Sequence, residues 1–363
     1  MNGLRIAALQ QELAKAGLDA ALVTGPTQIG YLTSAFIFPH ERFYALNVPR
    51  QGESVVFGPA LERGRLGGLG LPFVAVEDGV APRDVLAGQV GRGGRLAVER
   101  SHMTLGWALD VAQAAGTEVE RLEDVSAVLS HLRARKDPEE AEALRESARR
   151  LDRATAYARG LIREGVSERQ MAAAIEAYMR DELGGDPGFD SIVLFGERSA
   201  LPHGGPTDRV LRRGEAVLVD IGLRYRGYVS DTTRTFFYGD PQPELRRIYA
   251  VVEEAARRGR AAARAGAAMG ALDAAAREYI AGQGYGELFP HRVGHGLGLE
   301  AHEEPFLLPG REDRLAAGMC LTIEPGVYAA GLGGVRIEDD LLVTEGGAEV
   351  LTAYPRELQV VEP

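Results

Sequence analysis

The chain has 363 residues, 45% of them apolar and 26% charged, with a net charge of −11 and a single cysteine, Cys320. That length accommodates two domains, each able to bury its own core. The acidic balance argues against a nucleic-acid or anionic-membrane partner, and a lone cysteine excludes an internal disulfide framework and disfavours a thiolate metal site.

The opening MNGLRIAALQQELAKAGLDA reads as an amphipathic helix over 3–16 and lacks the apolar core of a signal peptide. No later run is long and apolar enough to span a bilayer, so a cytoplasmic protein is expected. Strands are predicted at 20–25, 42–49, 53–59, 73–78 and 95–99, and helices at 81–90 and 104–115. This alternation predicts a small α/β domain. After Arg133–Lys136 the pattern changes. Asp137 can cap a helix whose first position is Pro138 and whose first turn carries Glu139 and Glu140. The expected domains are therefore 1–134 and 135–363.

The second domain reads as helix (138–162), helix (167–184) and β-rich sequence to 238. The same order returns as helix (243–265), helix (269–283) and β-rich sequence to 352. An α+β domain with an internal pseudo-twofold duplication is expected.

Two β-hairpins in this domain carry acids. EAVLVDIGLRYRGYVSDTTRTFFYG (215–239) turns near Leu223–Gly227. A turn centred between Tyr225 and Arg226 sets Asp220 opposite Asp231, with Cβ atoms about 5 Å apart. In CLTIEPGVYAAGLGGVRIEDDLLVT (320–344) the turn signal is Gly331–Gly334, and Glu324 and Glu338 flank a centre at 331. One acidic pair alone reads as a solvated sheet face. Both together do not, because Asp220 follows VLV and Glu324 follows LTI, runs that belong in a core where unpaired acids are rare. With no lysine nearby, four carboxylates and one imidazole suit a pair of divalent ions. Hard oxygen ligands favour manganese, with cobalt, iron or zinc as alternatives. Two such ions about 3.5–4 Å apart can share a water and polarise a carbonyl.

The imidazole candidates cluster in HRVGHGLGLEAHEEP (291–305). His295 lies between glycines, where the backbone can approach a site closely. His302 can reach the same cavity, while His291 reads as structural or surface. His203, in SALPHGGPTD, belongs to a turn-rich segment and matters only if that loop covers the metals.

SALPHGGPTD, VLVDIG, YVSDTTRTF, GHGLGLEAHEEP, TIEPGVY and GGVRIEDDLLVT, in this order, resemble the proline-specific pita-bread metallopeptidases, a branch that includes aminopeptidase P and prolidase. The resemblance covers 137–355. PHERFYALNVP (39–49) is more loosely similar to the N-terminal domain of small Xaa-Pro dipeptidases, with Phe38 standing where an acid would be usual. By this resemblance Asp220 chelates one ion, Asp231 and Glu338 bridge both, and His295 and Glu324 complete the other shell. Glu324 is also implied as general base and proton shuttle. His203 and His302 are implied as substrate contacts that stabilise the tetrahedral intermediate. Arg336 is expected to support the site or the substrate, and Arg336 or Arg42 to meet a dipeptide's carboxylate. Phe36, Phe38, Phe189 and Tyr328 are candidates for a prolyl pocket. The substrates implied are peptides with proline second. Dipeptides are favoured because the N-terminal domain is short; cleavage of longer peptides by an aminopeptidase is the alternative. Family relatives are homodimers. A catalytically dead binding module, or a metal-free enzyme like creatinase, is disfavoured because all five ligand positions are present.

Overall fold

The computed structural model describes residues 2–91 and 93–363. The chain divides into two compact units, Met1–Arg133 and Ala134–Pro363. The first is built on a mixed sheet in the order Phe73–Val76, Val55–Pro59, Ala45–Pro49, Ala20–Val23, Leu96–Val98, Glu123–Asp124. Leu22, Ala45, Phe57, Val98 and Val111 sit in its core. The expected strands are present. The helix expected at 81–90 is only Pro82–Leu86, because Gly88 takes a left-handed conformation (φ 80°) and ends it. Helices at Pro26–Thr33 and Ser126–Ala134 were not anticipated. Each is too short to build a strong helical period.

In the second unit the helix Pro138–Gly160 begins with the expected device. The Asp137 carboxylate accepts from Glu139 N and Glu140 N, and Glu140 reaches back to Asp137 N at 2.9 Å, a full capping box. Ser167 and Gln170 repeat this at the start of Glu168–Asp181. These two helices pack Leu151, Met171, Ile175 and Met179 against the strands Glu215–Tyr225 and Tyr228–Tyr238 through Val217, Val219, Ile221 and Phe236. The helices Pro243–Ala262 and Met269–Gly282 likewise pack on a second set of strands, with a separate core of Ile248, Val252, Leu272, Leu321, Ile323 and Leu341. Helix, helix, strands thus occurs twice, each time with its own core. Among the described residues no helix is long and apolar enough to cross a membrane.

The first hairpin departs from its expected register. Tyr225 pairs with Tyr228, so the loop is Arg226-Gly227 alone. Both residues have positive φ (50° and 88°), the signature of a tight hairpin turn whose twist matches its strands. The turn lies one residue later than the sequence suggested. Asp220 therefore faces Thr233 and Asp231 faces Gly222. The two acids are diagonal rather than opposite, yet still on one face, since Asp231 and Thr233 share parity. The second hairpin has the expected register throughout, but it is interrupted. Cys320–Ile323 pairs with Asp339–Thr344, and Gly326–Ala329 with Gly333–Arg336, in a separate two-stranded ribbon. Glu324 and Glu338 stand in the gap between the two, freed from the ladder.

The hairpins meet along a polar seam. Glu338 N donates to Thr233 O at 3.1 Å, Asp231 N to an Asp340 carboxylate oxygen at 2.8 Å, and Thr235 Oγ1 to Arg336 O at 3.1 Å. Buried Arg234 donates to Asp339 and to the carbonyls of Tyr354 and Pro355. His295 enters from the short strand His295–Gly296. Its glycine neighbours allow the close approach expected: a Cβ on Gly294 would lie 2.0 Å from Thr322 O, and one on Gly296 2.4 Å from Glu304 O.

Both obstructing atoms are backbone, so Gly294→Ala is expected to displace His295. The cost should be about 1–3 kcal/mol or more, the range for forced overpacking. Thermal unfolding of the variant should show the loss; an unchanged melting temperature would contradict the close packing.

Candidate metal centre

A cavity of about 640 Å³ in the second unit is lined by Asp220, Asp231, His295, Glu324 and Glu338, together with His203, His302, Arg336, His291 and Arg292. The expected ligands, His203, His302, Arg336 and Phe189 therefore line one space, while Tyr328, expected at a prolyl pocket, does not line it. Within it, one ligand atom each from Asp231, His295 and Glu338 lies within 4.8 Å of the others. Asp220 and Glu324 stand beside this trio, each turned to a neighbour. An Asp220 carboxylate oxygen accepts from Arg336, and Glu324 Oε1 lies 3.3 Å from His295 Nε2.

The charge balance is unfavourable. Asp231 is 3% exposed and Glu338 2% exposed. Burial pushes both carboxyls well above their ordinary range, and repulsion from each other's cluster adds to it: Glu338 and Asp220 on Asp231, Glu324 and Asp220 on Glu338. Burial also raises Asp220, although Arg336 opposes it. Glu324 goes the other way. Burial raises it, but the facing His295 outweighs this and holds it at about 2. His302, whose ring centroid lies 4.0 Å from that of His295, is lowered to about 4 by burial first and by His295 second.

Three observations fit divalent ions at these residues. Asp231 Oδ1 is buried without a hydrogen-bond partner, and native proteins rarely leave such an atom unmet. His295 Nδ1 lies 3.1 Å from the Gly296 carbonyl, which can only accept. That contact holds the ring so that Nε2 is the nitrogen turned to the cluster, the arrangement a metal-binding imidazole takes. Nε2 lies 3.3 Å from a Glu324 carboxylate oxygen, a contact of two acceptors unless a cation joins them, either a proton or a metal ion. The donor set, four carboxylates and one imidazole, suits first-row divalent ions.

Around this set are residues the sequence reading did not assign. Thr233 Oγ1 donates to Glu338 at 2.6 Å and accepts from Arg336 Nε at 3.0 Å. Arg336 also donates to Tyr328 Oη at 2.7 Å and to Pro202 O at 3.2 Å. Its fork is thus spent on holding Asp220 and the surrounding wall. His291, left as structural, bonds Tyr328 Oη at 2.9 Å through Nε2 and lines the cavity. Tyr328 is accordingly a polar link in the wall. Parity could have indicated Thr233, since it shares a face with Asp231; nothing local marks His291. Arg42 lies in the first unit, where it binds Asp78 at 2.9 and 3.3 Å and Glu41 at 3.2 Å.

The chain belongs to metallopeptidase family M24, whose profile matches residues 142–345, and residues 5–135 match the creatinase/prolidase N-terminal domain. It is 37% identical over 358 residues to an uncharacterized peptidase of Staphylococcus saprophyticus, covering 97% of this chain and 100% of the relative. Among solved structures it is similar to the Xaa-Pro dipeptidase of Bacillus anthracis, with a TM-score of 0.91, 34% identity, and 99% of this chain and 100% of that one covered. It is also similar to the X-Pro aminopeptidase of Thermotoga maritima, with a TM-score of 0.87, 31% identity, and 97% and 98% covered. The second unit is therefore a pita-bread metallopeptidase domain, its two halves repeating one plan, and the first unit is the α/β domain that precedes it in the sequence.

A stability measurement tests the charge balance. Asp231 and Glu338 bind their protons more tightly folded than unfolded. Their contribution to stability is thus fully present below the unfolded values of about 4 and is lost as pH rises through the raised folded values. In chelator, Asp231→Asn should melt higher than wild type, by a margin that grows from pH 5 to pH 8. A margin that shrinks over that window would contradict the account.

Proposed function

We propose that the protein hydrolyses Xaa-Pro bonds with two divalent ions, manganese being the favoured metal, and acts foremost on dipeptides, as a cytoplasmic homodimer. The observation carrying this reading is the trio Asp231, His295 and Glu338, drawn together in a cavity with Asp220 and Glu324 in a chain 34% identical to an Xaa-Pro dipeptidase.

Asp220, Asp231, His295, Glu324 and Glu338 would hold the ions. Bound there, such ions supply Lewis acidity and a water of lowered pKa. Asp231 and Glu338, at the centre of the cluster, would bridge. Glu324 is the acid held ionised in the chain itself, and its side chain keeps 16% of its surface open to solvent. It would take a proton from an attacking water and pass it to the departing prolyl nitrogen. His302 is uncharged at neutral pH, as burial dictates, and with exposed His203 on the facing loop can donate to the oxygen that becomes negative as water adds. Phe189, Ile192 and Leu308 line the same cavity and offer an apolar wall for a proline ring. Similarity to the Thermotoga X-Pro aminopeptidase supports a second reading, in which longer peptides are cleaved.

The test is hydrolysis of Ala-Pro, Ala-Pro-Ala and a Leu-Ala control by chelated and manganese-reloaded enzyme. Ala-Pro should be the preferred substrate, chelation should abolish turnover and manganese or cobalt restore it. Asp231→Asn should lower kcat/KM by about a hundredfold or more, since outer-shell changes alone give about 10- to 100-fold. Equal cleavage of the tripeptide would favour the aminopeptidase reading. Full activity without metal, or cleavage of Leu-Ala as fast as Ala-Pro, would overturn both.

A further inference from the structure

A free Xaa-Pro dipeptide differs from any longer peptide in one charge: the carboxylate of its proline stands within a few bonds of the scissile nitrogen. A site selective for dipeptides must meet that charge with a cation, because an unpaired carboxylate loses its hydration on entering a partly apolar cavity. The cavity wall holds two guanidinium groups, Arg336 and Arg292. Arg336 is 2% exposed and directs its nitrogens to Asp220, Thr233, Tyr328 and Pro202 O. Withdrawing it to meet a substrate would strand Asp220 without its cation. Arg311, on the loop that follows, is tied to Glu304 and Asp313, each at 2.8 Å.

Arg292 is different. It is half-buried and lines the cavity. Its guanidinium lies over the face of Phe306, 4.4 Å from the ring centroid. Among the described residues it forms no ion pair with an acid, although the molecule's other arginines commonly do. Stacking fixes the plane of the fork while leaving its edge free to donate, and a planar fork can take a carboxylate by two parallel hydrogen bonds.

We propose that Arg292, braced on Phe306, is the receptor for the substrate's C-terminal carboxylate and the residue that makes dipeptides the preferred substrates. This rests on the Xaa-Pro reading above and adds to it the residue that selects substrate length. The assignment replaces Arg336, whose donors are committed. Phe306 is then a positioning residue, acting through Arg292.

The test uses the full-length, manganese-loaded protein with Ala-Pro and with Ala-Pro-amide, which has the same scissile bond and no carboxylate. Arg292→Ala should raise KM for Ala-Pro by about tenfold or more while kcat stays within about threefold, the loss expected for one charge-assisted contact. Affinity for the amide, read as KM if it is cleaved and as an inhibition constant if not, should change far less, so selectivity for the free carboxylate collapses. Arg292→Lys should restore part of the affinity for Ala-Pro, because it keeps the charge and loses the fork. Phe306→Leu should raise KM for Ala-Pro more modestly. Unchanged KM for Ala-Pro in both Arg292 variants, or an equal loss for dipeptide and amide, would overturn the assignment. Wild-type enzyme that fails to hydrolyse Ala-Pro would overturn the Xaa-Pro reading itself.

Discussion

The second unit is organised around carboxylates buried beyond what its own cations can neutralise. Two neighbours in one strand segment make the point. Asp339 is 0% exposed and is met by Arg234, Arg260 and Arg356. Burial raises it, yet the arginines outweigh that and hold it below its usual range. Glu338, one residue earlier and equally buried, has a threonine hydroxyl as its direct side-chain partner, and burial leaves it well above its usual range. Such a group either keeps a proton or finds a metal. Among the described residues, three arginines meet one acid and none directly meets the next, the contrast expected between a structural carboxylate and one left for a metal ion.

That contrast explains the seam between the hairpins. Thr232, Thr233 and Thr235 on one strand bond to Glu338 O, to the Glu338 side chain and to Arg336 O. Small hydroxyls fix the second hairpin on the first without adding charge. Among the described residues Arg336 is the guanidinium bonded to Asp220, and its bonds continue through Tyr328 to His291. Asp340 lies behind Asp231, takes its amide hydrogen bond, and is itself pushed well up by burial.

Much of this was legible in the sequence where a local rule acts alone. Asp137-Pro138 announced the long helix, VLVD and LTIE announced acids on buried strands, and the glycines around His295 announced a close approach. The turn of the first hairpin was placed one residue early, which shifts the pairing by two, because Arg226 is not a usual left-handed residue, and an Asn-Gly or Asp-Gly pair would have marked the turn. The gap in the second hairpin, which frees Glu324 and Glu338, has no local signal beyond Pro325. Whether Arg336 or Arg292 has donors to spare depends on residues from four separate segments, and no spacing in one chain reveals that. The two short helices of the first unit were lost for the opposite reason, having too few turns to impose a period.

On the function proposed above, these five residues would hold two ions, with Asp231 and Glu338 shared between them. This is tested most directly by titrating chelated protein with Mn²⁺ under electron paramagnetic resonance. The account predicts two ions bound per chain and, at saturation, a spin-coupled spectrum from an interacting pair. Saturation at one ion per chain, with only the six-line signal of an isolated ion, would contradict it.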